Sequence, residues 1–218
     1  MKVIVLEGMD GSGKTTVCRN LVSRLKETGL KAVYIKSLPD DSILGKTTRE
    51  LLSTTIDNDI IVQLMLANAS MVSRSMKLLA SDGVDVVIVD RWILSTLAYG
   101  RLGMDINTKY KNEYGNIVSL IDSVLKLNDI SVDATIYLDV DIETSKARTA
   151  SRNENDMYTG KLEQIKTAYD ISIIEFRSSQ LKPDTMRNIG EIYTVDANDE
   201  LDVVVDDCLD LVNTLYKD

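Results

Sequence analysis

The sequence contains no histidine, only two cysteines and no long apolar run. Without histidine, hydrolases of the Ser-His-Asp type and metal sites with histidine ligands are excluded. Cys18 and Cys208 have neither disulfide-framework nor metal-ligand spacing, so we expect a reducing compartment. The apolar residues 3–6 are followed at once by Glu7 and are too few for a signal peptide or a membrane span. We therefore expect a cytoplasmic protein without a membrane partner.

Positive charge is also scarce, since the formal net charge is −9 at pH 7. Duplex-binding proteins depend on lysine and arginine side chains that release counterions, so stable nucleic-acid binding is not expected. A small phosphorylated substrate is compatible with this charge, because it needs only a few arginines in one cleft.

The length and composition favour a single domain. The chain has 218 residues, of which 44% are hydrophobic, and this suffices for one sizeable core. Neither a low-complexity linker nor an internal repeat divides it. We therefore expect one domain over residues 1–218.

A phosphate-binding loop follows the first apolar run. Residues 8–15 have the sequence GMDGSGKT and match the pattern G-x-x-x-x-G-K-[ST]. Glycines in this pattern turn successive N–H groups toward phosphate oxygens. We expect Lys14 to bridge the β- and γ-phosphates of a nucleoside triphosphate and Thr15 to ligate Mg²⁺. The residues expected to bind the triphosphate are Gly8, Gly11, Ser12, Gly13, Lys14, Thr15 and Thr16. The competing interpretation is a glycine-rich turn without a ligand.

Short runs of Val, Ile, Ala and Leu alternate with segments of helical periodicity. The predicted strands cover residues 2–6, 32–36, 85–89, 134–139 and 191–195. Nearly continuous apolar runs are typical of parallel strands that are covered on both faces. The sequence therefore predicts an α/β fold, in which helices wrap a parallel sheet of about five strands and the ligand lies at their carboxyl ends.

A charged pair follows the third predicted strand. Asp90, at the tip of this strand, is suited to hold Mg²⁺ or its water shell. The guanidinium fork of Arg91 suits a second phosphate group. The alternative interpretation is a salt bridge at the end of a strand.

Three segments resemble the thymidylate kinase family of P-loop nucleoside monophosphate kinases. They are residues 6–16 (LEGMDGSGKTT), 45–52 (GKTTRELL) and 90–99 (DRWILSTLAY), with weaker matches at 146–156 and 195–198. The resemblance implies a three-layer α/β/α P-loop kinase fold with a small lid at about 142–160. It also implies transfer of the γ-phosphoryl group of ATP, with Mg²⁺ as cofactor, to a deoxynucleoside 5′-monophosphate, foremost dTMP, as a step toward dNTP synthesis. Family members are commonly homodimers.

The resemblance also assigns residues to the acceptor nucleotide. It implies that Asp10 contacts the 3′-hydroxyl side of the sugar and that Arg91 holds the acceptor phosphate. Ser95 and Tyr99 match positions that line the acceptor side, with Tyr99 near the sugar.

The position of the catalytic arginine follows from Gly11. Family members carry this arginine either in the phosphate loop or on the lid, and Gly11 leaves the loop without one. The resemblance then implies a lid arginine, for which Arg148 and Arg152 are equal candidates. The alternative is a solvated basic helix face.

The chain departs from the family on the acceptor side. Ser37 stands where the family usually has an arginine for the acceptor phosphate, so we expect Lys36 or Arg49 to compensate. In the helix predicted from residue 60 to 79, Leu64 and Asn68 take the places of the thymine-stacking phenylalanine and the base-reading arginine.

These substitutions leave the base open. The acceptor base is then thymine, another or modified pyrimidine, as in dUMP or 5-hydroxymethyl-dUMP, a purine, or a modified base already in DNA. A nucleotide-dependent switch is a further alternative, although the sequence has no N-K-x-D guanine-reading motif. A non-catalytic nucleotide-binding subunit is the last.

Overall fold

The computed structural model describes residues 1–52, 54, 57–102, 111–150, 159–180 and 183–216. These residues form five strands: β1 (Lys2–Glu7), β2 (Ala32–Lys36), β3 (Val86–Asp90), β4 (Ala134–Asp139) and β5 (Glu191–Asp196). The helices in the same residues are α1 (Lys14–Glu27), α2 (Ile43–Leu52), α3 (Asn58–Ser81), α4 (Ile93–Gly100), α5 (Lys111–Asn128), α6 (Ile142–Ala150), α7 (Leu162–Arg177), α8 (Pro183–Ile189) and α9 (Leu201–Thr214). A 3₁₀ turn, Thr159–Lys161, precedes α7.

The five strands form one parallel sheet in the order β2-β3-β1-β4-β5. Each strand lies within one residue of its predicted bounds, and the α/β fold class is confirmed. The central strands lie deepest, since no side chain from Val86 to Val89 has exposed surface. Burying one such apolar side chain contributes about 1.5–3 kcal/mol to folding. The continuous apolar runs therefore mark strands with both faces covered.

Two groups of helices cover the sheet. Helix α1 packs on β2, β3 and α9, whereas α3, α4, α5, α7 and α8 pack on one another. The predicted lid begins as α6, and residues 151–158, which include Arg152, lie outside the described residues. Within the described ranges, no helix combines the length and apolarity that crossing a bilayer requires.

The parallel arrangement brings the carboxyl ends of the strands to one edge. The loop 8–13 follows β1, Arg91 follows β3, and Lys36 ends β2 directly beside Asp90. Arg91 has a φ of 66°, which is uncommon for a residue other than glycine. Its backbone N–H donates to the Leu6 carbonyl at 3.0 Å, so this turn is tied to β1.

Candidate active site

The phosphate loop requires glycine at two tightly packed positions. Gly8 and Gly11 have φ values of 148° and 79°. A Cβ on Gly8 would lie 2.7 Å from the Leu138 carbonyl oxygen, and one on Gly11 would lie 2.6 Å from that of Ser145. Since Ser145 belongs to α6, a side chain at position 11 would collide with the start of the predicted lid. The close packing of α6 on Gly11 therefore leaves no room for an arginine side chain at this position of the loop.

Lys14 is held at the centre of this loop. Its Nζ donates to the Met9 carbonyl at 2.7 Å and contacts the Ser12 hydroxyl at 3.2 Å. Burial, followed by the nearby Arg91 guanidinium, lowers the pKa of Lys14 to about 8. The loop therefore keeps a cation close to its backbone N–H groups and to the amino end of α1, which favours anions.

A hydroxyl and a carboxylate meet beside the loop. The Thr15 hydroxyl donates to Asp90 Oδ2 at 2.6 Å, and the Tyr34 hydroxyl donates to the same oxygen at 3.1 Å. Thr15 and Asp90 offer hard oxygen donors of the kind that Mg²⁺ takes. The described part of the chain contains no group of three or more Cys, Asp or Glu side chains placed to hold a metal. The Thr15 and Asp90 oxygens fit Mg²⁺, which is usually bound by few protein groups together with phosphate oxygens and water.

Arg91 is clamped between the phosphate loop and two helices. One guanidinium nitrogen donates to the Gly8 carbonyl at 2.8 Å, the Tyr169 hydroxyl at 3.1 Å and the Ser95 hydroxyl at 3.3 Å. The other forms an ion pair with Asp10. The structure thus brings three predicted acceptor-side residues, Asp10, Arg91 and Ser95, into one network.

Asp10 and Tyr99 complete this network. The Tyr99 hydroxyl donates to Asp10 Oδ2 at 3.2 Å, and the Arg91 guanidinium lies 5.5 Å from the Tyr99 ring centre. Burial opposes ionisation of Asp10, but the Arg91 and Lys14 cations outweigh it, so the Asp10 pKa is lowered. The pair is therefore charged near neutral pH.

Glu7 also belongs to the Arg91 network, although it was not identified as a site residue from the sequence. Its carboxylate has no exposed surface and accepts the backbone N–H groups of Trp92 at 2.7 Å and Ser95 at 3.0 Å. It also accepts the hydroxyls of Ser95 and, at 3.1 Å, Tyr169. Glu7 therefore caps the start of α4 and orients two hydroxyls that contact Arg91. A carboxylate at the end of an apolar strand was a visible signal for Glu7, whereas Tyr169 has none.

The described end of the predicted lid lies against the phosphate loop. The Ser145 hydroxyl donates to the Asp10 carbonyl at 2.6 Å. The Arg148 guanidinium donates to the Ala197 carbonyl at 2.7 Å and reaches the Gly11 carbonyl at 3.5 Å. Of the two candidate lid arginines, Arg148 thus lies beside the loop, and Arg152 lies outside the described residues.

The two cations expected to compensate for Ser37 lie together. Lys36 Nζ is 2.6 Å from Asp40 Oδ2, and Arg49 forms an ion pair with the other Asp40 oxygen. These two partners lower the pKa of Asp40 to about 2. The backbone N–H of Ser37 donates to the Asp90 carbonyl at 3.1 Å, which joins this segment to the end of β3.

The two residues expected to face the base differ in exposure. Leu64 is partly exposed, whereas Asn68 has no exposed surface. The Asn68 amide donates to the Thr48 hydroxyl at 2.8 Å and to the Leu64 carbonyl at 2.9 Å, so it joins α3 to α2. Its Oδ1 has no hydrogen-bond partner within the described residues. Base reading by Asn68 stays a prediction.

Comparison with known proteins shows the family to which the chain is similar. The family model described as "Thymidylate kinase" matches residues 6–208. A thymidylate kinase of Buchnera aphidicola subsp. Baizongia pistaciae is 37% identical over 161 residues, covering 71% of this chain and 72% of the relative. A thymidylate kinase of Latilactobacillus sakei subsp. sakei is 26% identical over 219 residues, covering 97% of this chain and 94% of the relative.

Proposed function

Because the chain belongs to the thymidylate kinase family, we propose that it transfers the γ-phosphoryl group of ATP to a deoxynucleoside 5′-monophosphate. The foremost acceptor is dTMP, and the product is the diphosphate used for dNTP synthesis. The observation that carries this proposal is the juxtaposition of two cations at one sheet edge. Lys14 lies in a triphosphate-type loop, and Arg91 crosses from β3 to the Gly8 carbonyl of that loop.

The donor side of the proposal uses the loop and α1. The backbone N–H groups of residues 8–16 and the Lys14 ammonium would bind the ATP phosphates. Thr15 and Asp90 would hold Mg²⁺, which neutralises charge on the phosphate oxygens when bound. Because phosphoryl transfer asks for little covalent chemistry from the protein, positioning and charge neutralisation supply most of the catalysis.

The acceptor side uses the Arg91 network. The clamped Arg91 fork would hold the 5′-phosphate in line with the donor, with Lys36 and Arg49 as further cations. Asp10, Ser95 and Tyr99 would line the sugar side. Arg148 or Arg152 would stabilise the transferring group, and α6 would act as the first part of a lid over a single kinase domain.

A second acceptor class is supported by the side chains of α3. The positions assigned to base stacking and base reading carry Leu64 and Asn68, and the only phenylalanine of the chain is Phe176. Leucine packs against a base without selecting thymine, and the buried Asn68 presents no free N–H group. A kinase of another pyrimidine deoxynucleotide, such as dUMP or 5-hydroxymethyl-dUMP, is therefore the second candidate.

We extend the proposal to a homodimer in the cytoplasm on the basis of the family resemblance. Helix α3 carries two exposed apolar side chains, Ile60 and Leu78, that a subunit contact would cover. Sedimentation of the purified protein tests the dimer.

The test of the reaction is ADP release from ATP and Mg²⁺ with a panel of acceptors. The panel comprises dTMP, dUMP, 5-hydroxymethyl-dUMP, dCMP, dGMP, dAMP and the ribonucleotides. We expect the highest kcat/KM with dTMP. A clear preference for another acceptor would replace dTMP with that nucleotide, and no release with any acceptor would refute the kinase proposal.

A further inference from the structure

The segment between β2 and α2 contains an acidic residue at an unexpected place. Asp40 binds both Lys36 and Arg49, the two cations that we assign to the acceptor phosphate. Its side chain is 58% exposed, so the ion pairs lie open to solvent and to ligands. A carboxylate therefore already occupies donors that a phosphate would need.

The position of Lys36 places this cluster at the edge where the phosphates are expected to bind. Lys36 is the residue of β2 that pairs with Asp90 of β3. Side chains two residues apart on a strand share one face of the sheet, so Lys36 shares the face of Tyr34. Tyr34 on that face reaches Asp90 with its hydroxyl, at 3.1 Å. The Lys36 ammonium therefore lies on the side of the sheet that carries the Thr15–Asp90 pair.

The Arg49 side chain also contacts backbone carbonyls, in addition to Asp40. Its second guanidinium nitrogen donates to the carbonyls of Leu38 at 3.3 Å and Pro39 at 3.4 Å. Gly45 fixes the same turn from α2, because a Cβ there would lie 2.3 Å from the Pro39 oxygen. Since these backbone contacts hold the guanidinium, removal of the Asp40 charge would free donors without releasing Arg49.

We propose that Asp40 is an internal competitor of the acceptor phosphate. Its carboxylate takes donors of Lys36 and Arg49, and the incoming 5′-phosphate must displace it to gain both cations. Asp40 thereby weakens acceptor binding while leaving ATP binding unchanged. This inference rests on the proposed function, because it assumes that the acceptor phosphate binds Lys36 and Arg49.

The exchange is favourable for chemical reasons. A phosphate monoester carries up to two negative charges and three acceptor oxygens, against one charge and two oxygens for a carboxylate. Exposed ion pairs are weak, so the carboxylate leaves easily when a stronger anion arrives. The acceptor therefore binds despite Asp40, but with lower affinity than the two cations alone would give.

The test compares two neighbouring aspartates. Asp40→Asn removes the competing charge with almost no change in shape. Asp41→Asn removes the same charge from an exposed neighbour and serves as the matched control. Calorimetry with the full-length protein and dTMP should show a Kd about fivefold lower for Asp40→Asn, as expected for the release of weak surface ion pairs. Asp41→Asn should change the Kd for dTMP less than Asp40→Asn does, and the Kd for ATP should be unchanged in both variants. Added salt should reduce the difference in dTMP Kd between Asp40→Asn and the wild-type protein.

An unchanged or higher dTMP Kd in Asp40→Asn would overturn the inference, as would an equal gain in Asp41→Asn. Absence of dTMP turnover by the wild-type protein would instead count against dTMP as acceptor. Inorganic phosphate then serves as the probe for the cluster itself. Tighter phosphate binding by Asp40→Asn would support competition, and equal binding would overturn it.

Discussion

The phosphate-loop edge and the α2–α3 side of the molecule are built in different ways. At the edge, Glu7, Asp10 and Arg91 form a continuous network that reaches from β1 to α4 and α7. On the α2–α3 side, Asn68 makes a side-chain bridge to Thr48, and Asp40 holds two exposed cations. The phosphate-loop edge is therefore preorganised for charge, whereas the α2–α3 side depends on a few contacts that single substitutions alter.

The largest effect should follow from loss of the loop cation. Lys14→Ala should lower kcat at least about a hundredfold, because the ammonium neutralises charge that develops during transfer. Circular dichroism should show an intact fold, and steady-state kinetics measures the loss. Near-normal turnover would contradict the assigned role and the importance of the edge.

Glu7→Gln should weaken the hydrogen-bond network at the phosphate-loop edge. An amide group cannot accept all four donors that meet at this buried carboxylate, so unfolding should be easier by about 2 kcal/mol. The acceptor kcat/KM should fall about tenfold, because Ser95 and Tyr169 would no longer hold Arg91. Denaturant unfolding and kinetics give the two numbers.

Glu27→Gln is the matched control for this change, since Glu27 is an exposed residue at the end of α1. It should leave stability and activity within error of the wild type. Equal behaviour of the two variants would show that Glu7 has no organising role.

Asn68→Ala should give a smaller effect on the other side of the comparison. Loss of the two hydrogen bonds of this buried amide, one of them only partly buried, should cost about 1–2 kcal/mol of stability. Both Asn68 N–H groups are donated within the protein, so base reading would use Oδ1, which has no partner within the described residues. Its loss should change the ranking of acceptor bases while the KM for ATP stays constant, which the acceptor panel measures. Thr48→Val removes the Asn68–Thr48 hydrogen bond but keeps the Asn68 side chain. It therefore distinguishes the effect of losing the α2–α3 contact from the effect of losing a contact with the base. An unchanged ranking in Asn68→Ala would remove Asn68 from the base pocket.

The smallest effect concerns the titration of Asp40. The Lys36 and Arg49 contacts lower its pKa from 3.8 to about 2. Because the folded-state value is the lower one, the ion pairs stabilise the fold above about pH 4 and are lost as the pH falls through 2. Solvent screening should keep this contribution below about 1 kcal/mol.

Carboxyl NMR resonances can follow this titration directly. We expect the Asp40 pKa to rise toward 3.8 in Lys36→Met. An Asp40 that titrates at its ordinary value in the wild-type protein would show that the cluster does not form in solution.

The sequence was most informative where function depends on adjacent residues. The phosphate loop lies within residues 8–15, and buried parallel strands have uninterrupted apolar runs, so both could be recognised without a structure. Asp90 and Arg91 followed from their place after an apolar strand. The strand bounds were accurate for the same reason.

The remaining features depend on contacts between distant segments. Tyr169 meets Glu7 across 162 residues, and Ser145 meets Asp10 across 135, so no local pattern reveals either contact. The burial of Asn68 depends on how α2 packs on α3. Similarly, Lys36 and Arg49 were identified as cations, but the Asp40 side chain between them became visible only in the folded chain.

The fate of the γ-phosphoryl group tests the proposed reaction most directly. The protein is incubated with γ-labelled ATP, Mg²⁺ and each deoxynucleoside monophosphate in turn, and the products are separated. We expect label in a deoxynucleoside diphosphate, foremost dTDP, formed at least about a hundredfold more slowly by Lys14→Ala. Label that stays in ATP, or appears only as inorganic phosphate with every acceptor, would contradict it.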